Sequence, residues 1–332
     1  MRSLIRGAFT ALLLGGVAVA NGEEMKEIVF IAGNRSHSSG EHEFRAGCML
    51  LAKALNEQSG MAVRATVVGV DWVKSPEVIK NADAVVVYCD ASTGIAGEWE
   101  QLNERANDGM GLMFMHYAVH PSKEMADKYQ RRWVGATMET DYSVNPHWLA
   151  ELTALEGHPV SHGVSDRFES YDEWYYNMRF QDDRDSVHDL ATAVPTRERM
   201  KRYINLWNWH GADGMGKPQT LMWGVERADG GRGVGFTGGH YHRNWALDDF
   251  RTLVLNAIVW TAGMKVPEGG VPSEPVTEDQ LNDNLDLYPD GKMPRIKLPD
   301  LDEVRRMPAA KIRPEREQAP CSCGADHTVN PH

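Results

Sequence analysis

The chain is poor in cysteine, has no surplus of basic residues and has no apolar run long enough to span a bilayer. Each shortage removes a class of function. Four cysteines in 332 residues do not make a disulfide framework. Cys48 falls in an amphipathic helical pattern and Cys89 at a strand end, which predicts two buried thiols; Cys321 and Cys323 lie in a polar tail and carry no assigned role. The formal charge is −12, from 47 Asp and Glu against 35 Lys and Arg. Such a surface repels a polyanionic backbone, so nucleic acid is excluded as a partner. The apolar stretch 8–19 is too short for a membrane anchor. It follows Arg2 and Arg6 and ends in Ala18-Val19-Ala20, the pattern of a signal peptide over 1–20. The mature chain is therefore expected to be periplasmic or secreted, with a charge of −14 once both arginines are lost.

What the sequence does hold is an alternation of apolar runs and helical periodicity. Strands are predicted over 27–33, 63–68, 84–89, 111–116 and 233–237, and helices over 41–57, 96–107, 122–134 and 248–262. This alternation implies βαβ units, a mostly parallel sheet and helices on both faces. One α/β domain over 26–264 is expected. The middle, 137–225, is an aromatic-rich insertion of short strands and loops. From 265 to 332 the composition shifts to Pro, Asp, Glu and Gly, which predicts an extended or disordered tail without a second core.

Histidines recur where the predicted strands end. The first apolar run leads to His37 and His42, the run at 111–115 stops at His116, and the last opens into Gly238-Gly239-His240-Tyr241-His242. Ligands of parallel α/β sheets bind beyond the carboxyl ends of the strands, so three strands converge on one place. His37, His116 and His240 then match a three-histidine site for zinc or a similar divalent metal. No HExxH spacing supports it, and a hydrogen-bonded cluster without metal is the other reading. In a strand, His240 and His242 would point the same way. Glu173, among Trp174, Tyr175 and Tyr176, suits a general acid or base with a pKa raised by desolvation. Alternatively it pairs with Arg179 or Arg243. Asp90 either joins the site or caps a helix. Trp148, Trp174, Trp207, Trp209 and their neighbours, in an acidic exported chain, favour a small carbohydrate as ligand. His42, Trp174, His242 and Arg243 are the candidate sugar contacts, while Trp223 and Trp260 read as core.

Taken together, these features resemble the trehalose-utilisation (ThuA-like) family of the class I glutamine-amidotransferase-like superfamily. The resemblance spans about 26–271. It rests on His37, Asp90, Gly111-Leu112-Met113-Phe114-Met115-His116, Gly157-His158-Pro159-Val160, Asp172-Glu173-Trp174-Tyr175, Gly238-Gly239-His240 and Asn256-Ala257-Ile258-Val259-Trp260. It implies a flavodoxin-like three-layer sandwich. The strand-to-helix turn that carries the amidotransferase cysteine carries His116 here, so amidotransferase chemistry, which needs a thiolate, is excluded. The family further implies cleavage of a 3-keto-disaccharide or related glycoside by proton abstraction, elimination and hydration. On that reading His116, Glu173 and Asp90 are catalytic, with a metal assisting. A non-catalytic sugar-binding protein is the alternative.

Overall fold

Short runs of β-branched and aromatic residues set the centre of the molecule. The computed structural model describes residues 24–310 apart from 92, 96, 203–208, 289–290 and 292–293. The leader at 1–20 and the cysteines at 321 and 323 lie outside the described residues, as does Trp207. Among the described residues eleven strands form: β1 (Lys26–Ala32), β2 (Val63–Val68), β3 (Ala84–Tyr88), β4 (Gly111–Met115), β5 (Ala136–Thr137), β6 (His147–Ala154), β7 (Arg167–Glu173), β8 (Arg179–Phe180), β9 (Val187–Ala193), β10 (Gln219–Glu226) and β11 (Arg232–Phe236). The helices are α1 (Phe44–Lys53), α2 (Trp99–Asn107), α3 (Lys123–Met125), α4 (Arg131–Val134), α5 (Trp209–Gly214), α6 (Asp248–Thr261), α7 (Glu278–Leu281) and α8 (Leu301–Arg306).

Nine strands make one sheet in the order β2-β1-β3-β4-β11-β10-β9-β6-β7. From β2 to β11 every pairing is parallel. This is the flavodoxin-like order, with β11 as the fifth strand. From β11 to β7 every pairing is antiparallel, so the aromatic-rich insertion extends the sheet.

Side-chain alternation divides the core between the two faces of the sheet. Ile28, Phe30, Val86, Met113 and Phe236 pack on one face with α1 and α6; Val29, Ile31, Val87, Leu112 and Phe114 pack on the other with α2 and α4. This is the three-layer sandwich. Cys48 and Cys89 are buried free thiols, and burial pushes Cys89 up to about 12.

The helix predicted from 41 begins only at Phe44, because His42 has a left-handed backbone (φ 52°) that no helix accommodates. Residues 41–43 are freed to carry site groups. After α6 the chain builds no core of its own, yet Val266, Val271, Leu281, Leu285 and Ile296 join the main one. Polar ties hold it down, including Arg45 to Asp286 (2.7 Å) and the Tyr288 hydroxyl donating to Glu43 (2.7 Å).

Candidate metal centre and active site

The strand ends converge as a parallel sheet requires. The loop after β1 supplies His37, Glu41 and His42; Asp90 follows β3, His116 follows β4 and His240 follows β11. From the antiparallel side, the first residue of β6 and the last of β7, His147 and Glu173, are register partners. Cross-strand partners lie side by side, so the hairpin delivers both to the same edge of the sheet.

Four donor atoms meet at the centre. His42 Nε2 lies 2.9 Å from His116 Nε2 and 3.0 Å from His240 Nδ1. Glu173 Oε2 lies 3.4 Å from His116 Nε2 and 3.1 Å from His240 Nδ1. A tetrahedral ion with bonds of 2.0–2.1 Å holds its ligand atoms about 3.3 Å apart, so the spacing fits a first-row dication. All four side chains are buried.

Outer partners fix where the lone pairs point. His116 Nδ1 lies 2.9 Å from the carbonyl of Thr237, which can only accept, so Nδ1 carries the proton and Nε2 is left with its lone pair. Asp90 does the same for His42 through Nδ1 at 2.8 Å. Two acceptors therefore face each other across 2.9 Å. That contact is repulsive unless a cation lies between them. A carboxylate or carbonyl behind each ligating imidazole is the usual outer arrangement of a metal-bound histidine.

Electrostatics agree. Glu41, Asp90, Asp172 and Glu173 surround the imidazoles, with Arg202 beside Glu41 at 3.0 Å. Burial raises the Glu173 carboxyl, but its contacts with His116 and His240 override this and hold it well below the usual range. Burial pulls His240 down, while Glu173 and Glu41 override it and hold it at about 9. Burial takes His42 and His147 down to about 3. The centre favours positive charge at one point, which a bound dication supplies. Three imidazoles and a carboxylate suit zinc and its transition-metal neighbours.

Asp172 holds the frame. Its buried carboxylate accepts from the backbone N–H groups of Gly239 (2.7 Å), His240 (3.0 Å) and Glu173 (2.8 Å) and from Asn244 Nδ2 (2.9 Å). It thereby ties β7 to the turn after β11. Gly239 permits that turn, at φ 112°. His42 and His116 also have positive φ, at 52° and 53°. Such strain in a non-glycine residue costs about 1–3 kcal/mol and collects at functional sites. The elbow after β4 is thus strained without a glycine, and a histidine occupies it.

Several sequence expectations change here. His42, expected to touch sugar, is the third histidine of the four-donor cluster, and His37 falls in an adjoining group with His42 and Asp90 that could also hold an ion. The exposed His37 packs its ring 3.7 Å from that of His42 and bonds Ser36 Oγ at 2.8 Å. Glu173 is not an acid of raised pKa, because histidines rather than apolar surface dominate its surroundings, and it contacts neither Arg179 nor Arg243. Asp90 lies at the site, with its carboxylate 2.8 Å from His42 Nδ1. Trp174 is wholly buried against Phe236 and Phe250, and Trp148 and Tyr176, edge-to-face with each other, are wholly buried too, so these rings offer no sugar platform. His242 is buried too, because β11 ends at Phe236 and residues 242–246 form a turn. Arg243 lies beside Tyr241, at a groove next to the cluster.

Three contributors were not assigned from sequence. His147 lies 3.6 Å from Glu173 Oε1 through Nε2, and its Nδ1 bonds the Tyr241 hydroxyl at 2.9 Å. Asn145 donates to Glu173 Oε1 at 2.8 Å, and Glu41 lies 3.6 Å from His240 Nε2. The pairing of His147 with Glu173 needs the register of β6 on β7.

Comparison with known proteins bears on the fold that carries this site. The family model described as "ThuA: Trehalose utilisation" matches residues 29–261. A ThuA-like protein from Bacteroides uniformis ATCC 8492 is similar over 74% of this chain and 95% of its own, with 15% identity and a TM-score of 0.52. A ThuA-like protein from Parabacteroides merdae ATCC 43184 covers 76% of this chain and 98% of its own, with 15% identity and a TM-score of 0.49. No curated protein sequence matches this chain. Among the described residues, no helix is long and apolar enough to cross a membrane.

Proposed function

The chain belongs to the ThuA, trehalose-utilisation, family, and from its buried cluster we propose that it is an exported, metal-assisted enzyme cleaving a keto-disaccharide or related glycoside. The observation that carries this reading is the meeting of His42, His116, His240 and Glu173 donor atoms at ligand spacing, with the lone pairs of His42 and His116 already turned inward. A divalent ion held by these four would act as a Lewis acid on a keto oxygen.

The chain's own groups supply the rest. A keto group at C3 of the sugar acidifies the C2 proton. His147 takes that proton: burial keeps its imidazole neutral and Nε2 makes no hydrogen bond shorter than its 3.6 Å approach to Glu173. Glu173 Oε2 and His116 Nε2 are both committed to the cluster, which leaves the His147 Nε2 lone pair as the acceptor. The electron pair of the C2–H bond forms the C1–C2 double bond through the enolate and expels the glycosidic oxygen, which accepts the proton from His147. Water then adds, hydroxyl at C1 and proton at C2, so the net reaction is hydrolysis. Burial of the cluster excludes bulk water from the enolate.

The test is turnover of a 3-keto-disaccharide with and without chelator, alongside metal analysis of the purified protein. Stoichiometric metal and chelator-sensitive release of both sugars support the reading. Saturable binding without product identifies a sugar-binding protein instead, and protein that takes up no transition metal overturns the metal-assisted reading.

A further inference from the structure

Next to the cluster, Ser39, Gly40, Glu41, Tyr241, Ile296 and Lys297 wall a groove of about 310 Å³, with Arg243 at its side. That size sits at the small end of ligand pockets, enough for one sugar ring. Its charges are informative in a chain of formal charge −12. Arg202 and Arg295 are neutralised, by Glu41 at 3.0 Å and by Asp279. Arg243 and Lys297 have no carboxylate partner among the described residues. The Arg243 guanidinium lies 5.1 Å from the centre of the Tyr241 ring, which is itself stacked on Tyr171 at 5.2 Å. A guanidinium held by stacking and lacking an acid is pre-organised for a planar or tetrahedral oxyanion. Glu41, the acid in the wall, is already satisfied by Arg202 and His240. The groove adjoins the cluster directly, since Tyr241 follows His240 in the chain and Glu41 touches both.

We propose that this groove binds the anionic group of a saccharide, a uronate carboxylate or a sulfate ester, on the ring next to the one that reacts. This rests on the sugar-cleaving reading above and narrows its substrate to acidic sugars. Neutral disaccharides then lack the contact that fixes the second ring.

Calorimetric titration of the full chain with glucuronate, glucose 6-sulfate and glucose tests it, at low and at high salt. The expected result is that an anionic sugar binds about tenfold or more tighter than glucose, as one or two charge-assisted hydrogen bonds provide. The preference should shrink at high salt and vanish in an Arg243→Gln, Lys297→Gln double variant whose melting temperature is unchanged. It should persist in His116→Ala, which separates the groove from the cluster. The preferred anion distinguishes uronates from sulfated sugars. Equal binding of glucose and both anions, no binding of any of them, or a preference that survives Arg243→Gln with Lys297→Gln overturns the proposal. Loss of anion binding in His116→Ala with retention in the double variant also overturns it, since the anion then sits at the cluster. The metal reading survives each of these outcomes and is decided separately, by metal analysis of the wild type.

Discussion

On the parallel half of the sheet, site residues sit just beyond the strands, in turns whose backbone is bent to aim them. On the antiparallel half they sit within the strands, aimed by register alone. His42 and His116 exemplify the first kind, each with positive φ and an outer partner on its Nδ1. Glu173 and His147 exemplify the second, as directly opposed residues of β7 and β6. On the proposed reading the parallel half supplies a rigid set of imidazole ligands, while the antiparallel half supplies the carboxylate and the proton acceptor through a pairing that register alone sets. A slip of one residue would turn both side chains to the opposite face. Asp172 prevents that slip by binding β7 to the turn after β11.

The largest effect should come from breaking the parallel contribution. His116→Ala removes one of four ligand atoms and should abolish stoichiometric metal binding and turnover together. It also leaves the buried Thr237 carbonyl without its imidazole partner, at a cost of about 1–3 kcal/mol. Metal analysis and thermal unfolding of the same variant check both. Retained turnover would remove His116 from the chemistry.

Breaking the antiparallel contribution should separate the two functions. His147→Gln takes away the proton acceptor but none of the four clustered donors. Turnover should fall about 10²–10⁴-fold with metal content unchanged, the usual range for a lost general base. Equal loss of metal would make His147 a ligand.

Asp172→Asn loosens the joint between the halves. Asn places a donor where the carboxylate faces only donors, so about 1.5–3 kcal/mol of stability should go with a charged hydrogen bond. Metal affinity should drop about 10–100-fold, the range seen when an outer partner of a ligand is lost. Competition with a chromogenic chelator measures the second effect; unchanged affinity in the less stable variant would reduce Asp172 to a fold residue.

The same contrast explains what could be read from sequence. The parallel strands are buried on both faces and so appear as continuous apolar runs; 84–88 and 111–115 stand out, and the position of His116 just beyond the second is legible from that pattern. The convergence of three strand ends on one edge follows from the same rule. The choice between His37 and His42 does not, because it depends on one left-handed residue in a loop. In the antiparallel half, alternation is blurred by aromatics that turn out to be core, as at Trp148 and Trp174. Pairing across 147–173 depends on a register that no spacing in the sequence sets, so His147 and Glu173 do not show there as neighbours. The segment after α6 hides its core residues for another reason: Leu281, Leu285 and Ile296 are too sparse to show a period.

The smallest effect belongs to a histidine of the antiparallel half that lies far from the cluster. His158 caps the turn Pro159–Ser161, with Nδ1 accepting the Val160 N–H at 3.2 Å. Burial lowers its pKa to about 4, with the nearby His188 contributing, and the Nδ1 hydrogen bond requires the neutral ring. The folded pKa thus lies below the ordinary 6.5, so the unfolded chain binds the proton first as pH falls. Stability from this residue is fully present above 6.5, declines as pH drops toward 4, and is lost below that. His158→Asn keeps a side-chain acceptor for the cap but cannot take up the proton. Urea unfolding of metal-free wild type and variant, at neutral pH and again near pH 5, should show the wild type losing more stability than the variant. His42 and His147, also lowered by burial, titrate in both proteins and cancel in the difference. Parallel pH profiles would mean that the His158 ring is solvated in the folded chain and that this end of the hairpin is looser than the end that holds Glu173.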